Sequence, residues 1–236
     1  MQLRMRALAV LCMVLAPLPA AALQTPPAVR CRAVPVPPHS DVAVVAPRIA
    51  INGLPMAIVA AHSALAPQSF LRFYATAWTA PDGHPVYIRY PLGPWQVIAH
   101  AAGRCFYTVQ VKAAGTGSGA LIGVSEPGRA TGTQVLDVTA PGDARVLTHM
   151  VSADGGKLGD TWLLYTANPP AAVAGFYAQR LRARGWVRVS QHALPGHAAL
   201  IGAMYQKGTR NLGLVVQPLR AGSAITLTVE SHPEER

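Results

Sequence analysis

Acidic side chains are scarce in this 236-residue chain: ten Asp and Glu stand against twenty Lys and Arg, a formal charge of +10. Most of the few carboxylates fall in apparent loops or at the C-terminus, so nothing signals the paired acids of glycoside chemistry. Aromatic residues are also few, at 6%, and a core must be built mostly from Ala, Val, Leu and Ile. Charged residues make up 13% and hydrophobic ones 51%, which excludes general disorder, because such a chain has ample apolar surface to bury. Nothing in the spacing of the three cysteines suggests metal or redox catalysis. After residue 22 no stretch approaches the run of about 20 apolar residues that a bilayer-spanning helix needs.

What is present begins with an export signal. Arg4 and Arg6 make a basic start, Ala7 to Leu18 is apolar and uncharged, and Ala20-Ala21-Ala22 supplies small residues for cleavage. Pro17 and Pro19 close the apolar run after only 12 residues, too few for a retained anchor. Cys12 follows Val10 and Leu11 inside that run, which does not suit a lipoprotein site. Residues 1–22 therefore read as a signal peptide, leaving 214 residues with a charge of +8, periplasmic or secreted. Two cysteines remain, Cys31 and Cys105, and an even count in an oxidising compartment predicts a disulfide between them.

The positive balance would attract an acidic protein, anionic lipid or glycan phosphate. Of the twenty basic residues 17 are Arg, and they are scattered without a run. Scatter and export together argue against a nucleic-acid partner.

Residues 23–47 hold Pro26, Pro27, Pro35, Pro37, Pro38 and Pro47 and read as an extended, semi-rigid leader. Beyond it the chain looks duplicated. Pro67 and Phe73-Tyr74 match Pro170 and Phe176-Tyr177 at a constant offset. Phe70, Tyr74 and Trp78 in one copy, and Val173, Tyr177 and Leu181 in the other, follow helical spacing. Asn168 suits an N-cap, Pro169 the first helical position and Gly185 the C-cap. A strand precedes each helix and four strand-like runs follow it, the last alternating as Ile225, Leu227 and Val229 against Thr226, Thr228 and Glu230. The expected fold class is α+β: two tandem small domains, each an antiparallel sheet with one helix on a face in the order β-α-β-β-β-β. The first domain spans 48–126, a linker 127–145, the second domain 146–231 and a tail 232–236.

Several motifs carry less than they suggest. Gly115-Thr116-Gly117-Ser118-Gly119-Ala120 fits a dinucleotide fingerprint, but strand-like residues and Pro127 follow it where a helix is needed, so it reads as a hairpin loop. Asp154-Gly155-Gly156-Lys157-Leu158-Gly159-Asp160 lacks the alternating oxygen ligands of an EF-hand and reads as a turn. Eight histidines include no pair at His-x₃-His spacing; His192 and His197 flank Pro195-Gly196. Ser118 sits directly after Gly117, which breaks the nucleophile-elbow frame. No cofactor, metal or catalytic set is therefore assigned.

The most distinctive surface is the second helix, where Arg180 and Arg184 are one turn apart with Arg182 and Arg188 nearby. Guanidinium groups can fork onto carboxylate or phosphate, or lay their stems over apolar edges of a solvated face. The expected function is a non-enzymatic envelope adaptor or assembly factor that binds another envelope component through these four arginines or a sheet edge. A cell-wall or glycan hydrolase with dispersed catalytic groups, and a solute- or glycan-binding module, are the alternatives.

Overall fold

Strand formers, helix stripes and glycine turns alternate along the chain, and a computed structural model describes residues 28–129, 138–193 and 200–231. The segment 1–22 read as a signal peptide, residues 130–137 of the expected linker and the 232–236 tail lie outside the described residues. The first half runs β1 (Ser40–Ile51), β2 (Leu54–Ser63), α1 (Pro67–Ala77), β3 (Tyr87–Leu92), β4 (Trp95–Ala102), β5 (Cys105–Ala114) and β6 (Gly117–Ser125). The second runs β7 (Arg145–Asp154), β8 (Lys157–Thr166), α2 (Pro170–Ala183), β9 (Val187–Ala193), β10 (Ile201–Lys207), β11 (Arg210–Pro218) and β12 (Ser223–Ser231). All twelve strands join one open antiparallel sheet in the order β3-β4-β5-β6-β2-β1-β7-β8-β12-β11-β10-β9. The fold is sheet-rich α+β.

Each half has one strand more than expected. β1 occupies residues assigned to the leader, and β7 starts within the stretch read as linker. Pro47 had argued against a strand, but it falls inside a register shift between Ala46 and Ile49, where a missing ladder N–H is tolerated. The hairpin signal was Asn52-Gly53: both have positive φ, 49° and 78°, as a two-residue turn matched to strand twist requires. Gly155 and Gly156 do the same between β7 and β8, so the acidic-glycine motif is a turn. The two extra strands then meet each other. Arg48 to Ile51 pair with Ala153 to Met150, and this ladder makes the sheet continuous.

The helices lie on one face of that sheet because their apolar stripes need cover. Phe70, Leu71 and Tyr74 of α1 are fully buried against Ile98, Val109, Val111 and Ile122. Val173, Tyr177 and Leu181 of α2 pack on Leu164, Leu212, Leu214, Ile225 and Leu227. Each fully buried side chain of this size contributes about 1.5–3 kcal/mol. Trp78, expected in the first stripe, caps α1 and is only partly buried. The second helix starts one residue later than expected. Pro169 is its N-cap and Pro170 its first residue, because the Asn168 amide is engaged with Asp143 and Thr166. Gly185 ends α2 with φ +80°, and Trp186 N–H reaches back to the Leu181 carbonyl, folding the indole into the core.

The halves share one tight contact. A Cβ on Gly117 or on Gly222 would lie 2.0 Å from a carbonyl oxygen, that of Ser63 in the first half and Thr166 in the second. Only glycine lets the last strand of each half pass the residue that leads into the helix.

Candidate functional site

The connection from α2 to β9 is short, residues 184–186, and the helix flank above β9 and β10 stays open. The result is a groove of about 910 Å³ lined by Gly175, Ala178, Gln179, Arg182 and Ala183 of α2 with Trp186, Val187, Arg188 and Tyr205. Gly175, Ala178 and Arg182 recur at helical spacing, so small residues set the depth of the wall and Arg182 tops it. Trp186 and Tyr205 are 6% and 3% exposed and form the apolar floor. Arg188 sits opposite Tyr205 across the β9–β10 pair. Burial pushes the Tyr205 phenol upward, and the neighbouring Arg188 charge and hydrogen bond partly offset that. Arg182 and Arg188 are themselves exposed. No carboxylate is among the described residues that line it. An anion entering here would meet two guanidinium groups beside an aromatic floor.

The four arginines singled out in the sequence are thus divided. Arg182 and Arg188 face the groove. Arg180 lies over the Phe176 ring, 5.7 Å from its centroid, and Arg184 donates to the Thr139 hydroxyl at 2.8 Å. Helical spacing explains the split: Arg180 and Arg184 share one flank, and Arg182 is rotated away from both.

Segments outside the sheet pack against both helices. In the first half Cys31 and Cys105 are disulfide-bonded, with Cα atoms 5.8 Å apart. Val34 and Val36 of the leader pack on the α1 core, and the Tyr74 hydroxyl donates to the Pro35 carbonyl at 2.9 Å. Glu126, fully buried, accepts the Arg30 N–H at 3.1 Å and pairs with Arg104 and Arg129 at 3.2 and 3.5 Å. Burial alone would push its pKa up. The Arg30 N–H and the two guanidinium charges outweigh that and hold it below the ordinary carboxylate range.

In the second half Val138 is buried in the α2 core and Asp143 anchors the segment that follows. Its carboxylate accepts the Thr166 hydroxyl at 2.7 and 2.8 Å, the Ala167 N–H at 2.9 Å and the Asn168 amide at 2.8 Å. The Thr166 hydroxyl, then the Ala167 N–H, lower its pKa.

A carboxyl held low in the fold adds stability that is complete above its unfolded pKa, about 3.9 for Asp and 4.3 for Glu, and lost as pH falls through the folded value. The melting temperature should therefore stay level from about pH 7 to 5 and fall below about pH 4. Asp143→Asn should lower the neutral-pH value and flatten part of that acid limb. Thermal melts across this range test it; superimposable limbs in the two proteins would show that Asp143 contributes nothing.

One buried polar pair gave no sequence signal. His149 Nε2 and Asp160 Oδ1 are 2.8 Å apart, both buried, and the imidazole stacks on Trp162 at 3.8 Å. His149 and Asp160 are on adjacent strands, and only the β7–β8 register brings them together. With one imidazole nitrogen on Asp160 and a ring face on Trp162, the pair ties β7 to β8 inside the sheet and does not offer a base to solvent.

The remaining motifs fall as their local chemistry dictates. Gly115-Thr116 is the β5–β6 turn, with no helix behind it. His192 is on edge strand β9, and His197 lies outside the described residues. Among the described residues no three His, Cys, Asp or Glu side chains converge to hold a metal, and no helix is long and apolar enough to cross a membrane. The chain matches no protein-family model, and no curated protein or solved structure matches it.

Proposed function

We propose that this chain is an exported, periplasmic envelope adaptor that binds an anionic partner in the groove between α2 and β9. The observation that carries this reading is that Arg182 and Arg188 line one groove with Trp186 and Tyr205, with no acid among the described residues of the lining. The export segment, the Cys31–Cys105 bridge and the positive balance of the chain support the compartment and the sign of the partner. The two halves are read as tandem copies of one unit. Their mirrored strand orders, β3-β4-β5-β6-β2-β1 and β9-β10-β11-β12-β8-β7, support that, as do the paired Gly117 and Gly222 contacts. Duplication followed by divergence would leave one copy clamped by the disulfide and the other open to a partner.

The test is affinity capture with tagged mature protein from its native envelope. Arg182→Glu with Arg188→Glu should reduce recovery of the partner roughly tenfold, because reversing both charges turns attraction into repulsion. Raising salt should weaken wild-type capture, since exposed charges are screened over about 8 Å at physiological ionic strength. Arg180→Glu, on the other flank, is the control and should capture normally. Equal capture by the double variant at every salt concentration would exclude this groove.

A further inference from the structure

Resting on that reading of the groove, we infer that its occupant is an extended acidic segment of another protein that adds to the sheet as a strand beside β9. The two ends of the sheet are built differently. β3 forms one end, and it carries Pro91, is preceded by Pro85 and is followed by Gly93-Pro94. Proline cannot donate to a ladder, so this end resists pairing. The connection into β3, residues 78–86, is longer and folds back through a Thr79–Pro85 bridge. Gln68 bonds Gln96 at 2.8 Å and Arg89 at 3.2 Å, tying α1 to β3 and β4.

β9 forms the other end and contains no proline. A register shift leaves Val189 extra between the Arg188–Tyr205 and Ser190–Met204 pairs, so strict alternation holds only on either side of it. It pairs only with β10 among the described residues, and Val187 and Val189 are 68% and 66% exposed. A long unpaired edge with exposed β-branched residues is a template for another strand. Successive side chains on an added strand would alternate in direction. One set would point toward α2, where Arg182 and Arg188 line the groove and Arg188 donates to Gln191; the other would lie on the far side of the sheet. The occupant these positions select is a chain of alternating acidic and apolar residues.

The protein already packs segments from outside the sheet onto its helix-and-sheet units. The leader lies on the α1 core through Val34 and Val36, and Val138 is buried in the α2 core.

The probe is a synthetic peptide alternating Glu and Val, blocked at both ends, titrated by calorimetry into the full mature protein with its disulfide intact. Expected is saturable binding that weakens with salt, falls at least about tenfold in Arg182→Glu/Arg188→Glu and disappears when Glu is replaced by Lys. Two versions N-methylated at alternate residues, one in each phase, probe the backbone: the phase that removes the pairing N–H groups should bind at least about tenfold more weakly, and the other should bind like the parent. If both methylated peptides bind like the parent, strand addition is wrong while the anionic groove stands. If no peptide binds but envelope capture still depends on Arg182 and Arg188, the extended-strand occupant is likewise overturned and the adaptor reading survives. If the Glu and Lys peptides bind alike, and equally to the double variant, both readings fall together.

Discussion

Replacing Tyr177 by alanine should destabilise the second half by about 3–5 kcal/mol, and Tyr74→Ala should do the same in the first half. Both rings are fully buried at the centre of a helix stripe. Truncation removes the transfer energy of the ring and leaves a cavity that the sheet beneath cannot close. In a protein of this size a loss of about 4 kcal/mol corresponds to a fall of roughly 10 °C in melting temperature. The two phenylalanine variants separate the positions. Tyr74 donates to the Pro35 carbonyl, so Tyr74→Phe leaves a buried acceptor short of a partner and should cost about 1 kcal/mol. The Tyr177 hydroxyl is buried and finds no hydrogen-bond partner among the described residues, so Tyr177→Phe should be neutral or stabilising by up to about 1 kcal/mol. Denaturant titration of the four variants measures all of this. A Tyr177→Phe loss equal to that of Tyr74→Phe would mean that the hydroxyl is satisfied in solution, and tolerance of both alanine changes would contradict the buried stripes.

The second large effect belongs to the disulfide. Cys31 and Cys105 are 74 residues apart, and in the chain-entropy model closing a loop of that length stabilises the fold by up to about 4 kcal/mol. Cys31→Ala with Cys105→Ala should lose about 2–4 kcal/mol, and the loss should be local. Without the bridge, the Arg30–Glu126, Arg129–Ala28 and Tyr74–Pro35 contacts and the packing of Val34 and Val36 are what hold the described leader residues to the first half. Hydrogen exchange should then rise in residues 28–38 and α1 first, with α2 and β12 protected as before. Uniform loss of protection through both halves would show instead that the sheet unfolds as one unit.

The helices were readable in the sequence because their information is local. Phe70 and Tyr74, then Val173, Tyr177 and Leu181, repeat at the helical period, and Gly185 marks an end that only a left-handed residue can make. The alternation of Ile225, Leu227 and Val229 was local in the same way, and each is buried in the α2 core. β1 was hidden because Pro47 outweighed Val42, Val44 and Val45 in a local reading, and a register shift absorbs that proline only when β2 lies alongside. β7 was hidden because its inward face carries His149, a polar residue whose partner Asp160 becomes visible only across a strand pair.

The division for the candidate site follows the same line. The sequence by itself showed a basic chain whose start reads as an export signal, two cysteines beyond that start, and four arginines near one helix end. Composition and period are properties of neighbours along the chain, and they need no fold to be read. Only the tertiary structure decided which arginines share a groove. Arg182 and Arg188 line the same groove because β9 returns beside the helix, whereas Arg184 donates to Thr139, 45 residues away. It also decided that β1 and β7 fuse both halves into one sheet and leave β9 at an open end. Strand pairing joins residues far apart in sequence, and the energy that selects one register over another comes from the whole buried face.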